Sequence, residues 1–204
     1  MSWGLSGASG TGKTTLAKDV SIAMGITYHD ASVTAIMQRI GFDPVGVSHD
    51  LDSRIKAQNH LLDAYCADIR AIKHYPFITD RTPLDMAAYM LGEVTMRNTT
   101  EAQGQAIHDY VQRCLKATEK LFDAFVLVPP LPSYEASATR PAPNKAYQLL
   151  IHHLIRALAE DDDLDCAWAL LMKPDRDVRA NSTVEFLRNR VLKWEALRHQ
   201  CGAH

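Results

Sequence analysis

The chain has 204 residues, 47% hydrophobic and 23% charged, enough for one well-packed α/β domain over 1–204 and too little for a second full one. A formal net charge of −2 gives no overall pull toward nucleic acid or an anionic membrane, although a local basic patch stays open. No apolar stretch approaches the ~20 residues of a membrane span, Met1-Ser-Trp-Gly carries no basic leader region, and Cys66, Cys114, Cys166 and Cys201 form no CxxC pair. Reduced thiols without a metal role, in a cytoplasmic protein, are the expectation.

Trp3–Ser6 reads as a short buried strand, and a helical pattern covers Lys13–Met24. Between them Gly7-Ala-Ser-Gly-Thr-Gly-Lys-Thr14 spells G-x-x-x-x-G-K-[ST]. A glycine-rich turn from strand to helix lets successive backbone N–H groups converge on a β-phosphate, with the helix dipole behind them. Gly7, Ala8, Ser9, Gly10, Thr11, Gly12, Lys13, Thr14 and Thr15 are therefore the expected ATP-binding set. Lys13 is expected to reach the β- and γ-phosphates, and Thr14 to offer its hydroxyl to Mg²⁺.

A second strand over Ile26–His29 runs into Asp30, and helices are predicted over Ala31–Ile40 and Leu51–Lys73. In the longer one Leu51, Ile55, Leu62, Tyr65, Ile69 and Ile72 keep helical spacing as one buried stripe, with Arg54 and Gln58 on another face. Phe77–Thr79 is an apolar strand ending in Asp80-Arg81, followed by a helix over Pro83–Leu91. A carboxylate at the C-terminal edge of a sheet can hold Mg²⁺ through water or accept a proton from an attacking hydroxyl. The Arg81 guanidinium suits a phosphate. Thr82 and Asp85 read as a helix start, a cap and a first-turn acid.

A helix over Glu101–Leu121 leads to a strand over Ala124–Val128, and then the chain becomes irregular. Five prolines between Val128 and Lys145 preclude a continuous helix. Leaving a strand at its C-terminal end, the segment 130–145 is placed to act as a lid. A helix over Lys145–Ala159, a strand over Ala167–Met172 and a helix over Thr183–His199 complete the pattern, with Asp161–Asp163 as a solvated turn. Adjacent His152 and His153 point to different helix faces, and Trp3, Trp168 and Trp194 read as packing residues. Five strands alternating with helices predict a doubly wound, five-stranded parallel sheet flanked by helices.

Gly7–Thr14, Asp80-Arg81 before a helix, and the order of elements together resemble the P-loop nucleoside and nucleotide kinases, the group that includes thymidylate kinases. The resemblance covers most of the chain by order of elements but only about twenty residues by motif. It implies Mg·ATP as donor, a nucleotide-type acceptor, and a catalytic set of Lys13, Asp80, Arg81 and the lid arginine Arg140, with Lys145 a lesser candidate. Thr14 and Asp80 would organise the metal. Asp30, Arg54 and Arg81 would meet the acceptor, although Asp30 reads equally as a helix cap and Arg54 as a surface residue.

Asp80-Arg81-Thr82 departs from the Asp-Arg-Tyr/Phe run of thymidylate kinases, and the phosphate loop has no acidic or arginine residue between its glycines. The chain is also similar to the bacteriophage kinases that phosphorylate 5-hydroxymethyluracil in DNA, which implies a DNA acceptor and thymidine hypermodification in the host cytoplasm. Lys173–His204 carries seven Lys/Arg and four Asp/Glu, a basic balance that could flank a DNA backbone; a solvated amphipathic helix is the simpler account of it. A kinase of free nucleosides or monophosphates such as dTMP is the alternative. An ATPase switch acting on a macromolecule is a third reading, which Ile78-Thr-Asp-Arg81 fits poorly.

Overall fold

A computed structural model describes residues 1–42, 50–94, 98–132 and 144–201. Five strands form one sheet: β1 (Ser2–Ser6), β2 (Thr27–His29), β3 (Phe77–Thr79), β4 (Ala124–Leu127) and β5 (Ala167–Leu170). All neighbours pair in parallel, in the order β2-β3-β1-β4-β5. The helices are α1 (Lys13–Met24), α2 (Val33–Arg39), α3 (Leu51–Arg70), α4 (Pro83–Val94), α5 (Glu101–Leu121), α6 (Lys145–Ala159) and α7 (Arg176–Cys201). The doubly wound parallel sheet expected from the alternation is the one observed.

Alternating strand residues sort the core into two layers. Trp3, Leu5, Ile78, Ala124 and Val126 face α1 and α7, where Leu16, Val20, Val184 and Leu187 cover them. Phe77, Phe125 and Leu127 face the other way, into the larger layer built from α2 to α6.

Helix boundaries follow their caps. Ser32 accepts the Ala35 N–H on its hydroxyl, so α2 starts at Val33 rather than Ala31. Thr100 and Gln103 form a reciprocal capping box that opens α5 at the predicted residue. The start of α7 is a correction of seven residues, from Thr183 to Arg176. The Asp175 carboxylate accepts the Val178 N–H at 2.9 Å just after Pro174, a capping signal that lies in the sequence.

In α3 the buried stripe is wider than its aliphatic residues suggest. Gln58 is buried and accepts from the Tyr110 hydroxyl of α5 at 3.1 Å. Trp3 is buried, Trp168 stacks on Phe125 with ring centres 6.2 Å apart, and Trp194 is instead 44% exposed.

Candidate functional site

With β3 beside β1, the strand ends that carry Ser6, Asp80 and Val128 open on one edge, where the order of connections switches from one side of β1 to the other. Open α/β sheets bind ligands at such a crevice. The phosphate loop starts there. A Cβ at Gly7 would meet the Val128 carbonyl oxygen at 2.5 Å, so the loop can pass β4 only with glycine at this position. Gly12 caps α1 in the left-handed conformation, at φ 83°, without a side-chain cap and with no acid in the first helical turn. The first N–H groups of α1 are thus left for a ligand anion.

Lys13 is only 6% exposed. Its ammonium donates back to the carbonyls of Gly7 at 2.5 Å and Ala8 at 2.9 Å. Burial lowers its pKa to about 8, against the Asp85 carboxylate, which raises it; Arg81 adds to the lowering, and Asp80 opposes it. The Arg81 guanidinium therefore lies close enough to Lys13 for their charges to repel.

Thr14 donates its hydroxyl to Asp80 Oδ2 at 2.5 Å, and Asp80 Oδ1 accepts the Ala31 N–H at 3.3 Å. Asp80, 7% exposed, is thus fixed from the phosphate loop on one side and from the segment after β2 on the other. One hydroxyl and one carboxylate in contact are a donor set that could hold Mg²⁺, with waters and phosphates as the remaining ligands. Among the described residues no three His, Cys, Asp or Glu side chains converge on a metal position, so a protein-only cage does not compete with that fit.

Residues 4–175 match the AAA-domain family. The chain belongs to that family. No curated protein sequence matches it. Solved structures share its fold: deoxyadenosine kinase from M. mycoides with bound dCTP has a TM-score of 0.60 at 15% identity, over 95% of this chain and 100% of that one. The same enzyme with bound dATP gives 0.61 at 15% identity, over 94% and 99%. The NadR protein in complex with NR gives 0.62 at 15% identity, over 93% of this chain and 51% of that one.

Within this AAA-domain chain the other sequence-derived candidates fall unevenly. Asp30 is exposed at the end of β2, on the same edge as Asp80. Tyr28 joins them: its hydroxyl is buried, and burial, then Asp80, then Asp30 push its pKa up. Arg54 is engaged by Glu93 of α4 in a two-pronged pair, Nε to Oε2 at 2.9 Å and Nη2 to Oε1 at 2.5 Å. Contact with a substrate would therefore involve the pair rather than a free guanidinium. Arg140 and most of the 130–145 segment lie outside the described residues.

Four residues that the sequence reading gave a structural role or passed over stand at the loop. Asp85, 1% exposed, accepts the Gly7 N–H at 2.8 Å and the Thr82 N–H at 3.4 Å. Burial raises its pKa, while Lys13 and then Arg81 pull it down. It therefore ties the first loop glycine to the Asp80-Arg81 turn besides starting a helix, and Thr82 shares its hydroxyl with Ser6 at 2.5 Å. Tyr89 accepts the Ser9 N–H at 2.7 Å, and Gln148 donates to the Ser9 carbonyl at 2.6 Å. Arg179 donates to the Thr11 carbonyl of the loop at 2.9 Å. Spacing within α4 offered a signal for Asp85 and Tyr89, which lie four residues apart and so share a face; nothing local pointed to Gln148 or Arg179.

Among the described residues no helix is long and apolar enough to cross a membrane.

Proposed function

We propose that this chain is an ATP-dependent phosphotransferase that moves the γ-phosphate of Mg·ATP to a hydroxyl of a nucleoside-type acceptor. The observation that carries this reading is the contact of Asp80 with Thr14 on the sheet edge, next to Lys13 and Arg81. Likeness of fold to the M. mycoides deoxyadenosine kinase supports the choice of acceptor class. Backbone N–H groups of Gly10 to Thr15 and the Lys13 ammonium would hold the donor. The Arg81 guanidinium would meet charge on the transferred group. A magnesium ion bound beside Thr14 and Asp80 would neutralise phosphate charge.

An acceptor oxygen would attack the γ-phosphorus as its bond to the leaving ADP oxygen breaks, with the hydroxyl proton passing to Asp80 or to solvent. Positioning and electrostatics supply most of the catalysis in this kind of transfer. Tyr89 and Tyr147, with ring centres 6.1 Å apart, and the Arg54–Glu93 pair give the α4–α6 side of the edge both aromatic and polar groups for an acceptor. Arg140 is proposed to add a further cation from the lid.

Thymine-type acceptors, free or as 5-hydroxymethyluracil in DNA, remain the finer form of this proposal. For DNA the support is the motif order and the basic stretch after Lys173, of which Arg176 pairs with Asp19 and Arg179 is turned inward. The AAA-domain match is the observation in favour of an ATPase switch instead. Incubation with γ-labelled ATP and separate panels of nucleosides, deoxynucleoside monophosphates and 5-hydroxymethyluracil DNA decides the matter. Label in one acceptor class is expected; hydrolysis stimulated only by a macromolecule, with no labelled acceptor, would replace the kinase reading by the switch.

A further inference from the structure

Arg179 lies in the first turn of α7 and is 5% exposed. Its three donor nitrogens go to backbone carbonyls of three separate loops on the functional edge. Nη1 donates to Thr11 in the phosphate loop at 2.9 Å, Nη2 to Pro129 after β4 at 3.0 Å, and Nε to Lys173 after β5 at 3.0 Å. By contrast, among the described residues Asp85 and Asp80 act on the buried Lys13, and Glu93 pairs with the half-buried Arg54. Arg179 belongs to none of the ion pairs among the described residues. Three carbonyl dipoles accept three of its five N–H hydrogens and bring no counter-charge, which is costly in a buried place.

The position of that charge suggests its use. The Thr11 carbonyl belongs to the same peptide as the Gly12 N–H, and the two point in opposite directions across a trans bond. A guanidinium fixed on the carbonyl therefore turns the Gly12 N–H away from itself. It also polarises the peptide, which makes that N–H a stronger donor. Gly12 is the cap of α1, at φ 83°, a conformation with little steric hold of its own.

We propose that Arg179 is a positioning residue for the triphosphate donor, setting the orientation of the Thr11–Gly12 peptide and contributing positive potential to the phosphate loop from behind. This rests on the reading of that loop as a triphosphate site. A plain structural clip between α7 and three loops would use the same bonds, so the test separates the two roles.

Arg179→Ala and Arg179→Lys in the full chain are compared with the wild type by thermal unfolding and by calorimetric titration with Mg·ATP. Arg176→Ala, which removes an exposed pair with Asp19, serves as control. Titrations are run at a temperature where each variant is fully folded. The expected result is ATP binding weakened at least tenfold in Arg179→Ala, partly restored by added methylguanidinium, at least threefold weaker in Arg179→Lys, and unchanged in the control. If Arg179→Ala does not fold, the lysine variant, which keeps the charge but not the three-way geometry, carries the test. Unchanged ATP affinity in a folded Arg179 variant, with only its melting temperature lowered, would overturn the proposal. Absence of ATP binding by the wild type would instead overturn the triphosphate reading on which it rests.

Discussion

The ammonium of Lys13 donates to its own loop's carbonyls, so a phosphate entering the loop can replace those acceptors without new desolvation of the amine. Lys13→Ala should leave the fold intact and cut phosphoryl transfer by more than tenfold. Retention of more than a tenth of wild-type kcat would amount to less than about 1.4 kcal/mol of transition-state stabilisation, too little for this role. Asp80 differs because it holds two partners, the Thr14 hydroxyl and the Ala31 N–H. Asp80→Asn keeps an oxygen acceptor and removes the charge. A large fall in kcat with a modest change in ATP affinity is expected; kinetics with unchanged Mg²⁺ dependence would make Asp80 a turn residue. Both residues were legible in the sequence because each belongs to a local run whose residue types state their chemistry. Asp85 stands in the same run, yet its main partner, the Gly7 N–H, lies 78 positions away, so its sequence neighbours suggested only a helix start.

At the scale of elements, capping and cross-helix pairs decide where helices begin and how closely they pack. Thr100 opens α5 through a capping box, and loss of its hydroxyl in Thr100→Ala should cost about 1 kcal/mol of unfolding free energy. Denaturant titration at constant m-value checks this, and an unchanged midpoint would mean that the box forms without stabilising. Tyr110→Phe is expected to cost more, about 1–3 kcal/mol, because it leaves the buried Gln58 oxygen without its donor from α5. Strand positions and most helices were readable from periodicity, since burial on both faces gives short apolar runs and burial on one face gives a helical stripe. The beginning of α7 was misread because its first turns carry Arg, Asp and Asn, with no apolar stripe to mark them. There the Asp175 cap, rather than hydrophobic spacing, starts the helix.

For the molecule as a whole, burial of neutral acids sets the response to alkali. Burial is the main reason that Cys114 and Cys166 have pKa values pushed up to about 12, whereas an unfolded thiol titrates near roughly 8.5. Between those limits the unfolded chain releases protons that the folded chain keeps, so stability falls as pH rises. Buried Tyr65 and Tyr110, also raised, add to the fall above about pH 10. Lys13 works in the opposite sense, since its pKa is lowered to about 8 and the unfolded chain then holds the extra proton. The raised thiols and phenols outweigh this one amine: under reducing conditions the melting temperature should be lower at pH 10.5 than at pH 8.5, and Cys114→Ala should flatten the slope. A melting temperature that rises over this interval would contradict the account.

By itself the sequence determined the phosphate loop, the strand ending in Asp80-Arg81 and the alternation that makes a parallel doubly wound sheet. The first two are patterns within a dozen or so residues, where backbone geometry and side-chain chemistry are coupled directly, and the alternation is a succession of such local patterns. Tertiary structure decided what those pieces meet. Strand order put β3 beside β1 and so brought Asp80 onto Thr14, 66 positions away. Helix packing brought Gln148 to Ser9 across 139 positions and Arg179 to Thr11 across 168. Such contacts leave no periodicity or spacing in the chain, because they are fixed by which faces the hydrophobic core buries together, and a buried arginine reads in sequence like any charged residue on a helix.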